Sequence, residues 1–306
     1  MRVLFDPVFE DCCSPIELKS LKRFTPAPCE LEDLPFVDVV VISHNHYDHL
    51  SYPTIQRIVK KYPAAHFFAP LGNKKWFVNC GVEAKMVDEL DWWETRDVKF
   101  EMHKGGEKSV SVSSSTTGEA PDNAMTATFG ALPCQHVSAR TPFDKNKTLW
   151  ASWSVTSGAS SVYFAGDTGY RTVPQLSADV DDYSAAYAHL PVCPAFAQIG
   201  AHRGPFDLGL IPIGAYEPRW MFSAMHADPK DSANIFVDTK CNKALGMHWG
   251  TWVLTEEDVL EPPRKLKEAL AWKGIDEGAF VAVDIGESRE FESGFGRKRT
   301  EGNVVG

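Results

Sequence analysis

The sequence predicts a single layered α/β or α+β domain over residues 1–290, with sheets covered by helices. Three observations carry this. Short β-rich runs alternate with helical ones along the chain. The 306 residues are 43% apolar and 24% charged, an ordinary globular composition with length enough for a large core. No apolar run approaches the length of a membrane-spanning helix.

The elements follow in order. "VDVVVIS" (37–43) reads as a buried strand and "YPTIQRIVKKY" (52–62) as a helix, with Pro53 near its start. "AHFFAP" is a second strand and "NKKWFVNC" a short helix. β-type segments come next at "VKFEMH", "ATFGALP", "TLWASWSVT" and "SVYFAGD". In the later half "LGLIPIG" is a strand, and "DPKDSANIFVDTK" a helix capped by Asp228 with Pro229 at its first position. "KALGMHWG" is a further strand, and "PPRKLKEALAWKG" an amphipathic helix stopped by Gly274. Two stretches depart from this packed pattern. Residues 104–124, rich in Ser, Thr and Gly, read as a flexible surface insertion; 171–192, which is acidic, interrupts the chain just after "AGDTGY" as another insertion, close enough to Asp167 to affect substrate access. Residues 291–306 read as a disordered tail.

Charge and cysteine usage exclude some functions. A formal charge of −10 offers no concentrated basic surface for a nucleic-acid backbone, nor strong attraction to an anionic membrane. "MRVLFDPVFEDCC" meets an acid before an apolar signal region can form, and the seven cysteines contain no CxxC pair, which favours a reduced intracellular setting.

The stretch "SHNHYDHLSY" concentrates His44, His46, Asp48 and His49 directly after an apolar strand. Alternation along an extended segment points His44 and His46 the same way, while Asp48 and His49 lie on the following turn and address a second point. Four side chains cannot complete two metal sites, so other ligands must come from elsewhere. His136 in "PCQHVSAR", Asp167 in "YFAGDTGY" and His248 in "GMHWG" each follow a predicted strand. Taken singly, such histidines are more often core or surface residues, and Asp167 alone can cap a turn; Asp207 in "GPFDLG" reads as structural. The cluster is different, because buried imidazoles and a carboxylate without partners are costly. Imidazole with carboxylate suits zinc, iron or manganese, and a carboxylate such as Asp167 can bridge ions roughly 3.5–4 Å apart.

"HNHYDH" fits the HxHxDH signature of the metallo-β-lactamase fold. With "DPVF", "LKRFTPAPCELEDLP", "ELDWWE", "YFAGDTGY", "GPFDLGLIPIGAYEPRW", "HADP" and "MHWGTW", the chain resembles the N-acylphosphatidylethanolamine-hydrolysing phospholipase D family. The resemblance implies an αββα sandwich with two divalent ions, zinc first among them. One would be held by His44, His46 and His136, the other by Asp48, His49 and His248, with Asp167 bridging; Asp48, Asp167 and His226 would act in catalysis. His226, in "MHADP", matches a further active-site histidine of that family; its alternative is a helix-entry residue. The implied reaction is attack of a metal-activated hydroxide on the phosphodiester of N-acylphosphatidylethanolamine, giving an N-acylethanolamine and phosphatidic acid. Implied too are a phospholipid partner, peripheral association with an organelle membrane such as that of the mitochondrion or a cytoplasmic location, and a homodimer. Trp92, Trp93, Tyr216, Trp220 and Phe222 are the candidate lipid contacts, with core packing as their commoner role. Another hydrolase of the same fold, a lactonase or small-molecule phosphodiesterase, and a non-catalytic metal- or lipid-binding paralogue are the competing readings. The family pattern sets several strands and a segment resembling "GHAT" before the HxHxDH loop. Here 43 residues precede His44, so the sandwich is expected to lack its first strands.

Overall fold

The structure, a computed structural model, describes residues 1–16, 21–102, 108–113, 124–177 and 180–294. Strands β1 (Val3–Phe5), β2 (Val39–Val41), β3 (His66–Pro70) and β4 (Val87–Leu90) form a parallel four-stranded sheet in that order, with β1 outermost. Helices α1 (Tyr52–Lys61) and α2 (Lys74–Asn79) cover its outer face. α1 begins where its sequence says it should: Ser51 Oγ accepts from Thr54 N, and Pro53 occupies the first turn, where its missing N–H is no loss.

The larger sheet has eight strands. β5 (Thr95–Met102), β6 (Lys108–Ser113), β7 (Ala124–Leu132), β8 (Ser152–Ser157) and β9 (Ser160–Phe164) pair antiparallel in the spatial order β6-β5-β7-β8-β9. After α3 (Ala195–His202), β10 (Phe206–Pro212) joins β9 in parallel. Then come α4 (Arg219–Phe222), α5 (Pro229–Asp238), β11 (Cys241–Met247), α6 (Pro262–Lys273) and β12 (Phe280–Val281), with β11 and β12 extending the parallel half. In α5, Asp228 and Asp231 form a reciprocal capping box.

Three apolar layers make this an αββα sandwich. Ile55, Ile58 and Phe77 pack under the small sheet. Val39, Val41 and Phe68 meet Phe129, Trp153 and Phe164 between the sheets, and Phe196, Ile235 and Leu266 back the large one. Each fully buried aromatic or aliphatic side chain gains roughly 2–3 kcal/mol from leaving water. Among the described residues no helix is long and apolar enough to cross a membrane.

One expectation needs correction. Within the stretch read as a flexible insertion, 108–113 is a strand paired along its length with β5, and Val110 and Val112 pack toward the inter-sheet core. The alternation S-V-S-V-S is the period of a strand with one buried face; the Ser-rich composition obscured it. Residues 104–107 and 114–123 lie outside the described residues, as do 295–306 of the expected tail. The insertion 171–192 packs onto the fold: Arg171 and Val173 are buried, and Arg171 pairs with Val192 in an isolated antiparallel bridge.

Candidate metal centre

The seven ligand-type residues gather beyond the carboxyl ends of strands from both sheets: 44–49 after β2, His136 after β7, Asp167 after β9 and His248 after β11. Ligand sites of open α/β sheets sit at such ends. The 43–50 loop is fixed from several sides. Trp153 Nε1 donates to Ile42 O at 3.0 Å and Ala151 N to Ser43 O at 2.9 Å. Arg140 Nη1 donates to Asn45 O and Leu50 O, and its guanidinium lies 4.0 Å over the Tyr47 ring. Gly166, at φ +61°, lets the β9 turn press against this loop; a Cβ there would sit 2.5 Å from Ser43 Cβ. Asp167 is thereby brought beside His44.

Two clusters result. His44 Nε2, His46 Nδ1 and His136 Nε2 converge with separations of 2.8, 3.1 and 3.3 Å. Three ring nitrogens cannot satisfy one another by hydrogen bonds alone, but a tetrahedral ion at 2.0–2.1 Å from each would set them about 3.3 Å apart. In the second cluster His49 Nε2 is 3.1 Å from Asp48 Oδ2 and 3.1 Å from Asp167 Oδ2; His248 Nε2 is 3.4 Å from Asp48 Oδ2 and 3.2 Å from Asp167 Oδ1. Asp167 Oδ2 also lies 4.0 Å from His44 Nε2, 3.9 Å from His136 Nε2 and 3.8 Å from His226 Nδ1. That single oxygen therefore faces both clusters. Asp167 is 2% exposed, yet neither of its oxygens meets hydrogen-bond geometry with a donor, and the buried Nδ1 atoms of His226 and His248 have no partner. Buried carboxylate oxygens in that condition call for a positive partner, so the residues present fit divalent metal.

The electrostatics agree. Burial holds His44 well below the usual histidine range and pushes His136 down to about 3 and His226 to about 4, so these rings are neutral, the form that ligates. Burial also opposes charge on His49, but Asp167 and Asp48 overcome it and raise this histidine well above its ordinary value. Its Nδ1 is already committed to Asp6, so Nε2 can approach two carboxylates only as N–H⁺ or through a shared cation.

Asp6, at the end of β1, is the residue that sequence reasoning missed. Its Oδ2 accepts from His49 Nδ1 at 2.7 Å and from Ser43 Oγ at 2.5 Å, its Oδ1 from Ser43 N at 2.7 Å, and Ser43 Oγ is 2.9 Å from His44 Nδ1. One carboxylate thus orients a histidine of each cluster, leaving Nε2 of each free to ligate. Its only signal was its place in "DPVF". Asp6→Ala is expected to weaken divalent-ion binding about 10–100-fold, read by competition with a chelator; unchanged affinity would deny it that role.

His226, on the turn between α4 and α5, stands at the rim, with its ring 5.2 Å from that of His136 and 5.6 Å from that of His248. Of the aromatic candidates, Trp220 is largely exposed and Phe222 lies edge-on to His226. Tyr216 is buried with its hydroxyl donating to Glu261, and Trp92 and Trp93 pack against the core. Asp207 is structural, its Oδ2 accepting from Ser161 N and Oγ. A small apolar hollow of about 70 Å³, walled by Trp249, Trp252, Val253 and Leu254, opens beside His248. A larger cleft of about 640 Å³ between 173–177, 180–182, 216–220, α5 and α6 contains none of the seven.

Comparison with known proteins places this geometry in context. The family model for a β-lactamase superfamily domain matches residues 1–249. The chain is 37% identical over 292 residues to N-acyl-phosphatidylethanolamine-hydrolyzing phospholipase D 1 of Caenorhabditis elegans, covering 94% of this chain and 70% of that one. It is 30% identical to the mitochondrial N-acyl-phosphatidylethanolamine-hydrolyzing phospholipase D of Saccharomyces cerevisiae, covering 95% and 53%. Among solved structures, an isothiocyanate hydrolase from Delia radicum gut bacteria superposes with a TM-score of 0.59 at 14% identity, covering 95% of this chain and 93% of that one; at that identity the likeness speaks for the fold alone.

Proposed function

We propose that this chain, which belongs to the N-acylphosphatidylethanolamine-hydrolysing phospholipase D family of the metallo-β-lactamase superfamily, hydrolyses N-acylphosphatidylethanolamine to an N-acylethanolamine and phosphatidic acid. The ions would be held by His44, His46 and His136 and by Asp48, His49 and His248, with Asp167 between them. The observation that carries this reading is the carboxylate oxygen of Asp167 facing two converging donor sets. Divalent ions bound there supply a water acidified to a pKa of roughly 7 and offset charge on the phosphoryl group. The all-N/O donor set suits zinc, with iron or manganese as alternatives.

The remaining work belongs to the chain. Asp6, Asp48 and Asp167 lie within one site, so an anionic phosphodiester can approach only once cations have offset those carboxylates. Asp6 and Met225 O hold His49 and His136 by their Nδ1 atoms, and so fix which nitrogen faces inward. His226, neutral and with an unpaired Nδ1 3.8 Å from Asp167, is placed to hydrogen-bond a phosphoryl oxygen. The hollow beside His248 offers apolar contact to the substrate's lipid part. An acidic chain favours local apolar docking over electrostatic attraction to a membrane.

The curated relatives are longer: this chain spans 70% of the nematode protein and 53% of the yeast one. The test is metal analysis joined to hydrolysis of N-acylated and plain phosphatidylethanolamine in vesicles. The expected outcome is two ions per chain, release of N-acylethanolamine, loss of activity on chelation and its return with zinc, along with a lower melting temperature of the stripped protein. Chelator-insensitive turnover, or activity only on lactones or small phosphodiesters, would overturn the reading.

A further inference from the structure

We infer that Arg219, whose ion pairs all lie away from the metal cluster, is a positioning residue for His136 and His226. The inference rests on the reading of His44, His46 and His136 as ligands of a divalent ion. The turn at 223–226 is the platform under these histidines. Met225 O accepts from His136 Nδ1 at 2.8 Å, Ala224 O accepts from Gln135 Nε2 at 3.0 Å, and Ser223 Oγ accepts from Val173 N at 2.8 Å. His226 itself ends the turn, its N–H donating to Phe222 O. A carbonyl that sets the tautomer and tilt of His136 is only as well placed as the turn that carries it.

Arg219 closes that turn. Its Nη2 is 3.0 Å from Asp182 Oδ2, its Nη1 2.9 Å from Asp231 Oδ2 and its Nε 3.5 Å from Asp228 Oδ2. Asp228 and Asp231 are the capping box of α5, and Asp182 belongs to the 171–192 segment, where Arg171 also binds it. Only the Asp182 contact meets hydrogen-bond geometry; the ion pairs with Asp228 and Asp231 draw the two ends of the stretch 219–228, which bears Met225 and His226, together at the start of α5 by charge. The site is buried: Asp231 is fully enclosed and the Arg219 side chain only 13% exposed. A planar guanidinium with several fixed donors can meet three carboxylates at once, which an ammonium cannot.

The experiment uses the full chain loaded with Zn²⁺, and in parallel with Co²⁺. For Arg219→Gln with unchanged far-UV circular dichroism, the expected result is first-ion affinity weakened 10–100-fold in chelator competition, an altered Co²⁺ d–d spectrum, and kcat lowered at least 10-fold with KM within twofold. Arg219→Lys should recover part of each. Wild-type affinity, spectrum and kcat in folded Arg219→Gln would overturn the inference. Should that variant fail to fold, Asp182→Asn, which removes one of three partners, is expected to lower affinity and kcat 3–10-fold, and wild-type values there would overturn it equally. Wild-type protein that binds no ion defeats the functional reading and this inference together. Wild-type protein that binds ions alongside an unaffected variant defeats the inference alone.

Discussion

Asp167→Asn is expected to lower kcat/KM for N-acylphosphatidylethanolamine on the order of 10³-fold, about 4 kcal/mol of transition-state stabilisation, and to reduce bound metal from two ions toward one. Asn is nearly isosteric, so the β9 turn and the Gly166 approach should survive. What changes is charge and lone pairs. The Oδ2 that stands 3.1 Å from His49 Nε2, 3.9 Å from His136 Nε2 and 4.0 Å from His44 Nε2 would have to serve both clusters as a neutral amide. The amide nitrogen, which cannot ligate, would take the place of one carboxylate oxygen and meet either His49 or His248, depending on the flip. Either way one ion loses an anionic ligand. Metal analysis with steady-state kinetics decides the matter: two ions and full lipid hydrolysis in the variant would sink the shared-carboxylate mechanism.

The same residue shows what the sequence could and could not convey. "HNHYDH" after "VDVVVI" announced both the strand and the loop, because ligand spacing and strand alternation are local properties. His136, Asp167 and His248 were legible as candidates for a similar reason: each ends an apolar strand, and β7, β9 and β11 do end there. Asp228 and Gly274, as caps, marked their helix boundaries correctly. Asp6 was not legible in its role, because its partners Ser43 and His49 lie 37 and 43 positions away, and only the pairing of β1 with β2 brings them together. The inward nitrogen of each imidazole was likewise hard to read from spacing: His44 presents Nε2 and His46 Nδ1, and His44 Nδ1 is turned to its neighbour Ser43, whose hydroxyl is itself held by the distant Asp6. α3 escaped for want of a cap, since Pro194 provides no side-chain acceptor. The hold on 171–192 escaped because Asp182 and Tyr183 find partners across the fold, in Arg219 and Asp231, while Arg171 binds both of them from the far end of the segment.

Gly214→Ala tests whether the second cluster depends on backbone placement as much as on ligand identity. Gly214 follows β10, and the chain at His248 crosses it closely: a Cβ would sit 2.4 Å from His248 O and 3.3 Å from Trp249 Cα. His248 already holds a left-handed backbone, φ +60°, which a non-glycine residue keeps only where its surroundings enforce it. The added methyl must displace one of the two segments by several tenths of an ångström or more, and His248 Nε2, 3.2 Å from Asp167 Oδ1, moves with its backbone. Misplacing a reacting group by about 1 Å is worth about 10²-fold in rate, so kcat/KM should fall by about that factor while bound metal drops from two ions to one. Gly200→Ala is the control. Its Cβ would lie 1.9 Å from Asp238 O, where α3 packs on α5 away from the cluster. It should therefore destabilise the fold by about 1–3 kcal/mol through overpacking while the folded fraction keeps both ions. The two glycines then separate in opposite directions: Gly214→Ala should lose metal out of proportion to its melting temperature, and Gly200→Ala the reverse. If Gly214→Ala instead melts earlier yet retains both ions and wild-type turnover below its transition, the His248 crossing is structural only, and the second cluster does not depend on where this backbone runs.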